Sequence, residues 1–146
     1  TEALGKSLDG VTPALKTEIA SNTLLLQARA GFTLKNPARK EAAMAQLRKL
    51  RADYPQSDAA VYSYIVEADD ADADGRLVDA QRFVTDLADK FEKSEYAPYA
   101  RYRAALYAER RGSGRQYYQE AYNILEQLVT RYPEDELVFY ARLKQG

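Results

Sequence analysis

Residues 67–74 read Glu-Ala-Asp-Asp-Ala-Asp-Ala-Asp and run into Gly75, so five acids in eight positions lead into a turn residue. Asp70, Asp72, Asp74 and Gly75 match the opening of a calcium-binding loop, with Leu77 at the apolar position that follows. Oxygen ligands at alternate positions and a glycine turn are what a hard cation needs. The bidentate glutamate that closes such a loop is missing, because Gln81 stands there. That loss weakens any Ca2+ site at Asp70, Asp72 and Asp74 severely. The same run has a second use: Asp74 aligns with positions where a helix begins, and carboxylates there satisfy first-turn amides and the positive dipole end without metal. The expectation is the helix terminus and no cofactor, with a calcium-modulated module as the alternative.

The rest of the composition narrows the chemistry further. With no cysteine and no histidine, the chain has no thiolate nucleophile, no imidazole base, no disulfide and none of the usual zinc ligands. Carboxylates alone would have to supply acid and base, and no pair of acids is singled out for that. The expectation is therefore not an enzyme and no small-molecule substrate. Lysine plus arginine (21) nearly cancels aspartate plus glutamate (22), leaving a net charge of −1 with no global field for nucleic acid or an anionic membrane. Arg101, Arg103, Arg110, Arg111 and Arg115 do lie among tyrosines, a mixture that can stack on single strands, but Glu109 and Glu120 interrupt it. No apolar stretch reaches the roughly 20 residues that span a bilayer.

What positions these residues is a repeat. Tyr54-Pro55, Phe91-Glu92 and Tyr132-Pro133 recur at intervals of 37 and 41 residues. Eleven before each aromatic stands Ala43, Ala80 or Ala121; seven before, Leu47, Val84 or Leu125; four before, Leu50, Leu87 or Leu128. Spacings of four and three describe one helix face. Three after each aromatic come Ser57, Ser94 and Asp135, side chains suited to cap the next helix. Thr12-Pro13, Asn36-Pro37, Gly75 and Gly112-Ser113-Gly114 supply the remaining breaks. The reading is all-α, with about seven helices near 13–34, 37–53, 57–70, 75–91, 95–111, 116–131 and 135–145. Residues 1–12 lead in, and 1–146 form a single domain that is a piece of a longer protein.

Two registers on the first helix of each pair bear on function. Tyr62, Tyr99 and Tyr140, eight after each anchor, with Ile65, Tyr102 and Leu143 at eleven, are expected to pack inward. Tyr64, Arg101 and Arg142, ten after each anchor, stand one step off that register. Side by side they would present guanidinium forks to a carboxylate and a ring to an apolar side chain, a candidate site for an acidic or carboxylate-ended peptide.

The pattern resembles the tetratricopeptide repeat. Ala43, Leu47, Leu50 and Pro55, and again Ala121, Leu125, Leu128 and Pro133, match that repeat's second helix, while Glu92 replaces the middle proline. Tyr54-Pro55-Gln56-Ser57 and Ser94-Glu95-Tyr96-Ala97-Pro98-Tyr99-Ala100 resemble phrases of bacterial envelope members of the family, of the Tol-Pal coordinator and outer-membrane assembly lipoprotein type. The resemblance covers roughly 37–146. It implies a right-handed superhelix of antiparallel helices whose concave face, lined by first helices, binds a partner peptide or domain. It also implies a scaffold role in a periplasmic or cell-envelope assembly, with cytoplasm the alternative compartment, and no chemistry.

Overall fold

The computed structural model describes Gly10 and residues 12–146. Seven helices and no strand occur among the described residues: α1 (Pro13–Thr33), α2 (Pro37–Asp53), α3 (Asp58–Ala73), α4 (Leu77–Lys90), α5 (Ala97–Arg110), α6 (Arg115–Arg131) and α7 (Leu137–Gln145). The starts of α1 and α2 follow from cap-plus-proline chemistry. Thr12 Oγ1 accepts from the Leu15 amide, Asn36 Oδ1 accepts from the amides of Ala38 and Arg39, and the proline in each first turn has no N–H to leave unpaired.

The sequence repeat is a repeat of backbone geometry. Tyr54, Phe91 and Tyr132 each end a second helix with φ between −134° and −127° and ψ between 51° and 57°. Each donates its amide to Leu50, Leu87 or Leu128, and its own carbonyl accepts from the amide of Ser57, Ser94 or Asp135. Those three side chains then accept from amides at the entry to the next helix: Ser57 Oγ from Ala60 N (3.1 Å), Ser94 Oγ from Tyr96 N (3.2 Å) and Asp135 Oδ1 from Leu137 N (2.9 Å). The turn is thus closed from both sides by the anchor backbone and the residue three later.

The chain divides into two compact units, one up to Ser63 and one from Tyr64 to Gly146, with the division inside α3. In the first, α1 packs on α2. Gly31 is in close contact there: a Cβ at this position would lie 2.8 Å from Ala43 Cβ and 3.0 Å from the Arg39 carbonyl oxygen. In the second unit, α5 packs on α4 and α6, α6 on α7, and α5 also touches α7. Its core is built from small residues of α5 and α7 (Ala105, Ala108, Ala141) against Ala121, Leu125 and Leu128 of α6.

The second-helix stripe is buried as the spacing predicts: Ala43, Leu47, Leu50, Ala80, Val84, Leu87, Ala121, Leu125 and Leu128 are all core residues. The first-helix register agrees with expectation at Ile65, which is buried, and at Tyr102, which packs on the core, and differs at other positions. Ser63, Ala100 and Ala141, nine after each anchor, are fully buried, whereas Tyr99 and Tyr140, at eight, are 42% and 51% exposed, and Leu143, at eleven, is exposed as well. Helices approach most closely where side chains are smallest, so the small residue takes the contact and the tyrosine ring moves to the shoulder.

The acidic run also lies elsewhere than at the helix start expected for Asp74. Helix α3 continues through Asp70 and Asp72 to Ala73 and ends on Gly75, whose φ of 74° is the left-handed conformation favoured by glycine. The Arg76 amide bonds back to the Ala71 carbonyl and the Gly75 amide to that of Asp72, the paired closure of a glycine-capped helix end. Gly75 therefore stops a helix, and α4 begins at Leu77 with Asp79, not Asp74, in its first turn.

Candidate partner-binding groove

The acids of α3 sit at its C-terminal end, where the helix dipole disfavours negative charge. Arginines from elsewhere offset this. Arg103 Nη1 donates to Asp69 (2.6 Å), Arg110 forks onto both oxygens of Asp72 (2.8 and 3.2 Å), and Arg76 reaches Asp70, Asp74 and Asp79. Asp70 and Asp72 are two apart on a helix and so face different directions. Asp70, Asp72 and Asp74, the residues of the alternative calcium reading, are thus each placed beside an arginine, and among the described residues no group of three acidic side chains is placed to hold a metal ion.

These pairs organise one face of α5. Tyr99, Arg103, Tyr107 and Arg110 recur at intervals of four, four and three, which aligns them along the helix. The Arg103 guanidinium lies 5.7 Å from the Tyr99 ring centre and 5.1 Å from that of Tyr107, whose hydroxyl accepts from it, and Arg110 lies 5.9 Å from the Tyr107 ring. Burial works against the Arg103 cation, but Asp69 and Tyr99 outweigh it and raise its pKa above the ordinary arginine value. The Asp72 hydrogen bond likewise raises that of Arg110. Both guanidiniums are therefore permanent charges.

An open cleft of about 530 Å³ lies over this face. Arg103, Leu106, Tyr107 and Arg110 of α5 form its floor, with Asp72 of α3, Tyr118 of α6 and Lys144 of α7 around it. Lys144 Nζ bonds Glu109 at 2.6 Å, so Asp69–Arg103, Asp72–Arg110 and Glu109–Lys144 link the first helices in an alternating ladder. The charged side chains of the groove are paired with opposite charges, and the exposed ring of Tyr118 stands among them.

Tyr64, Arg101 and Arg142 do not line this groove; each turns toward the C-terminal part of a second helix. Tyr64 meets Phe91 edge to face at 5.9 Å, with the Lys90 ammonium 5.4 Å from its ring centre. Arg101 is buried, donating to Asp89 of α4 (2.8 Å) and Gln127 of α6 (3.2 Å). Arg142 pairs with Glu126 of α6, and Gln145 and Arg142 together hold the Glu126 carboxyl below the usual glutamate range. Position ten after the anchor thus joins first helices to second helices at Tyr64, Arg101 and Arg142.

Sequence reasoning placed Arg103 and Arg110, among tyrosines, only in a mixture suited to single strands, and it did not single out Tyr107 or Lys144 for a groove. Their signal was the tyrosine–arginine spacing on α5, together with Asp69 and Asp72 standing 34 and 38 residues before their partners, close to one repeat length.

No family model matches the chain, and comparison with curated proteins and with solved structures finds none similar to it. Among the described residues no helix is long and apolar enough to cross a membrane.

Proposed function

We propose that this chain is a tetratricopeptide-like scaffold that holds a segment of a partner protein along α5, between the end of α3 and α7. The observation that carries the reading is the open groove floored by Arg103, Leu106, Tyr107 and Arg110, set among helices joined by three copies of one capped turn. Tyrosine and arginine are among the side chains that most often anchor protein partners: a tyrosine ring buries much area with few rotors to freeze, and a planar guanidinium forks onto carboxylates and stacks on rings. Guanidiniums held charged by carboxylates have no proton to exchange near neutral pH, which supports binding rather than catalysis. The balanced ladder supports a protein segment over nucleic acid, which needs uncompensated cations. The Tyr-Pro-Gln-Ser and Ser-Glu-Tyr-Ala-Pro-Tyr-Ala phrases support a bacterial envelope or periplasmic setting.

The test is selection of peptides from a displayed random library against the whole chain, followed by affinity measurement on two groove variants. Tyr118 and Arg110 are exposed, so Tyr118→Ala and Arg110→Ala should melt like the parent chain. Selected peptides are expected to bind each variant about tenfold or more weakly, the loss typical of an anchor truncation. Peptides that bind both variants as well as the parent would place recognition elsewhere and overturn the groove.

A further inference from the structure

Every charged side chain that lines the groove on α5 has its counter-charge within the chain. Arg110 commits both terminal nitrogens to the two oxygens of Asp72, and Lys144 bonds Glu109. Arg103 gives one terminal nitrogen to Asp69 and the other to the Tyr107 hydroxyl. The rings of Tyr99 and Tyr107 flank its guanidinium at 5.7 and 5.1 Å, and its side chain is only 14% exposed.

This arrangement decides what the groove can accept. An arginine recognises a carboxylate or phosphate by presenting its fork. The fork of Arg110 is filled, so an incoming acid must displace Asp72, whose side chain is 27% exposed and which would be left half-buried without its cation. A basic ligand meets the mirror problem at Asp72 and Glu109. What the groove still offers is uncharged or planar: Leu106 on the floor, the exposed Tyr118 ring, and the flat face of Arg110, whose side chain is 53% exposed. Aromatic and large aliphatic side chains pack on such surfaces. A carboxylate that already accepts from a cation keeps lone pairs, so Asp72 and Glu109 can also accept from the amides of an extended backbone.

We propose that Asp72 and Glu109 are the specificity-determining residues of the groove. By closing Arg110 and Lys144 they exclude acidic ligands and select an uncharged, extended partner segment anchored by an aromatic or large apolar side chain. This rests on the reading of the groove as a partner site and adds the chemistry of the segment it holds.

Peptides selected on the parent chain from a displayed random library should carry no excess of acids or bases and should be rich in aromatic or large apolar residues. The affinity of a selected peptide should change less than about twofold between about 0.05 and about 0.5 M NaCl, because it has no charge to screen. A fluorescein-labelled hexaglutamate peptide, followed by fluorescence anisotropy, should show no saturable binding to the parent. An Asp72→Asn, Glu109→Gln variant should bind it at least about tenfold more tightly than the parent does, a gain that falls away at high salt. The pairs removed are partly exposed, so this variant should melt close to the parent. An Asp86→Asn, Glu134→Gln variant makes the same change in net charge outside the groove and should gain nothing. An equal gain in that control, or none in the groove variant, would overturn the proposal. So would hexaglutamate binding to the parent, or selected peptides that are charged and lose about tenfold or more affinity over the salt range. Charged peptides that still depend on Tyr118 would keep the groove and sink only its specificity, whereas an empty selection would remove the groove as a partner site and this proposal with it.

Discussion

At Gly31 two opposing effects can be weighed. Alanine in place of a helical glycine gains about 1 kcal/mol of propensity. Here its Cβ would stand 2.8 Å from Ala43 Cβ and 3.0 Å from a backbone oxygen of Arg39, neither of which can rotate aside. Overpacking of this kind costs about 1–3 kcal/mol, so Gly31→Ala should destabilise by about 1 kcal/mol and Gly31→Val by more. A urea midpoint that falls with an unchanged slope would confirm it; a raised midpoint would mean that α1 and α2 separate freely. The Arg101–Asp89 pair predicts an asymmetry. Asp89 is 59% exposed on its side chain, so Arg101→Met leaves a solvated carboxylate and should change stability by no more than about 1 kcal/mol. Asp89→Ala leaves a buried guanidinium with Gln127 as its remaining partner in the pair's place, and should cost about 2–3 kcal/mol. Equal losses in thermal melts of the two variants would refute that account.

Among the elements, the turn after each second helix is the unit that repeats, and its capping side chain is the part most open to test. Ser57 Oγ accepts from Ala60 N and donates to the Tyr54 carbonyl, so Ser57→Ala should cost about 1 kcal/mol, and Ser57→Asp should keep most of the stability. A Ser57→Ala melting temperature equal to the parent's would show that the anchor backbone closes the turn alone. These turns and the second-helix stripes were legible because each rests on local rules: a cap, a proline, a period of 3.6. The first-helix face was not, because ring size pointed to Tyr99 and Tyr140, while burial is decided by how near the neighbouring helix comes, which Ser63, Ala100 and Ala141 permit. The acidic run was misplaced for a related reason. Alternating aspartates look like a loop in one dimension, but alanines between them and the glycine stop at Gly75 let α3 run on to Ala73. Arg103 and Arg110 could not be recognised as groove residues until Asp69 and Asp72, a repeat away, were brought beside them.

Over the whole chain, burial is unevenly shared, and in repeat architectures that unevenness becomes a gradient of local stability. Helix α5 buries eight residues, α6 three and α7 only Ala141. Within the unit from Tyr64 onward, α5 is held by α4, α6 and α7, whereas α7 rests on α6 and an edge of α5. Amides of α5 should therefore exchange with solvent only through opening of the whole unit. Those of α7 should exchange through local release, faster by two or more orders of magnitude, on the general relation that about 1.4 kcal/mol is a factor of ten. The ion pairs Glu109–Lys144 and Glu126–Arg142 do not alter this order, because exposed pairs contribute about 0–1 kcal/mol each. Native-state hydrogen exchange read by NMR decides the matter. Uniform protection from α2 through α7 would mean one cooperative block and would remove the distinction between the two units.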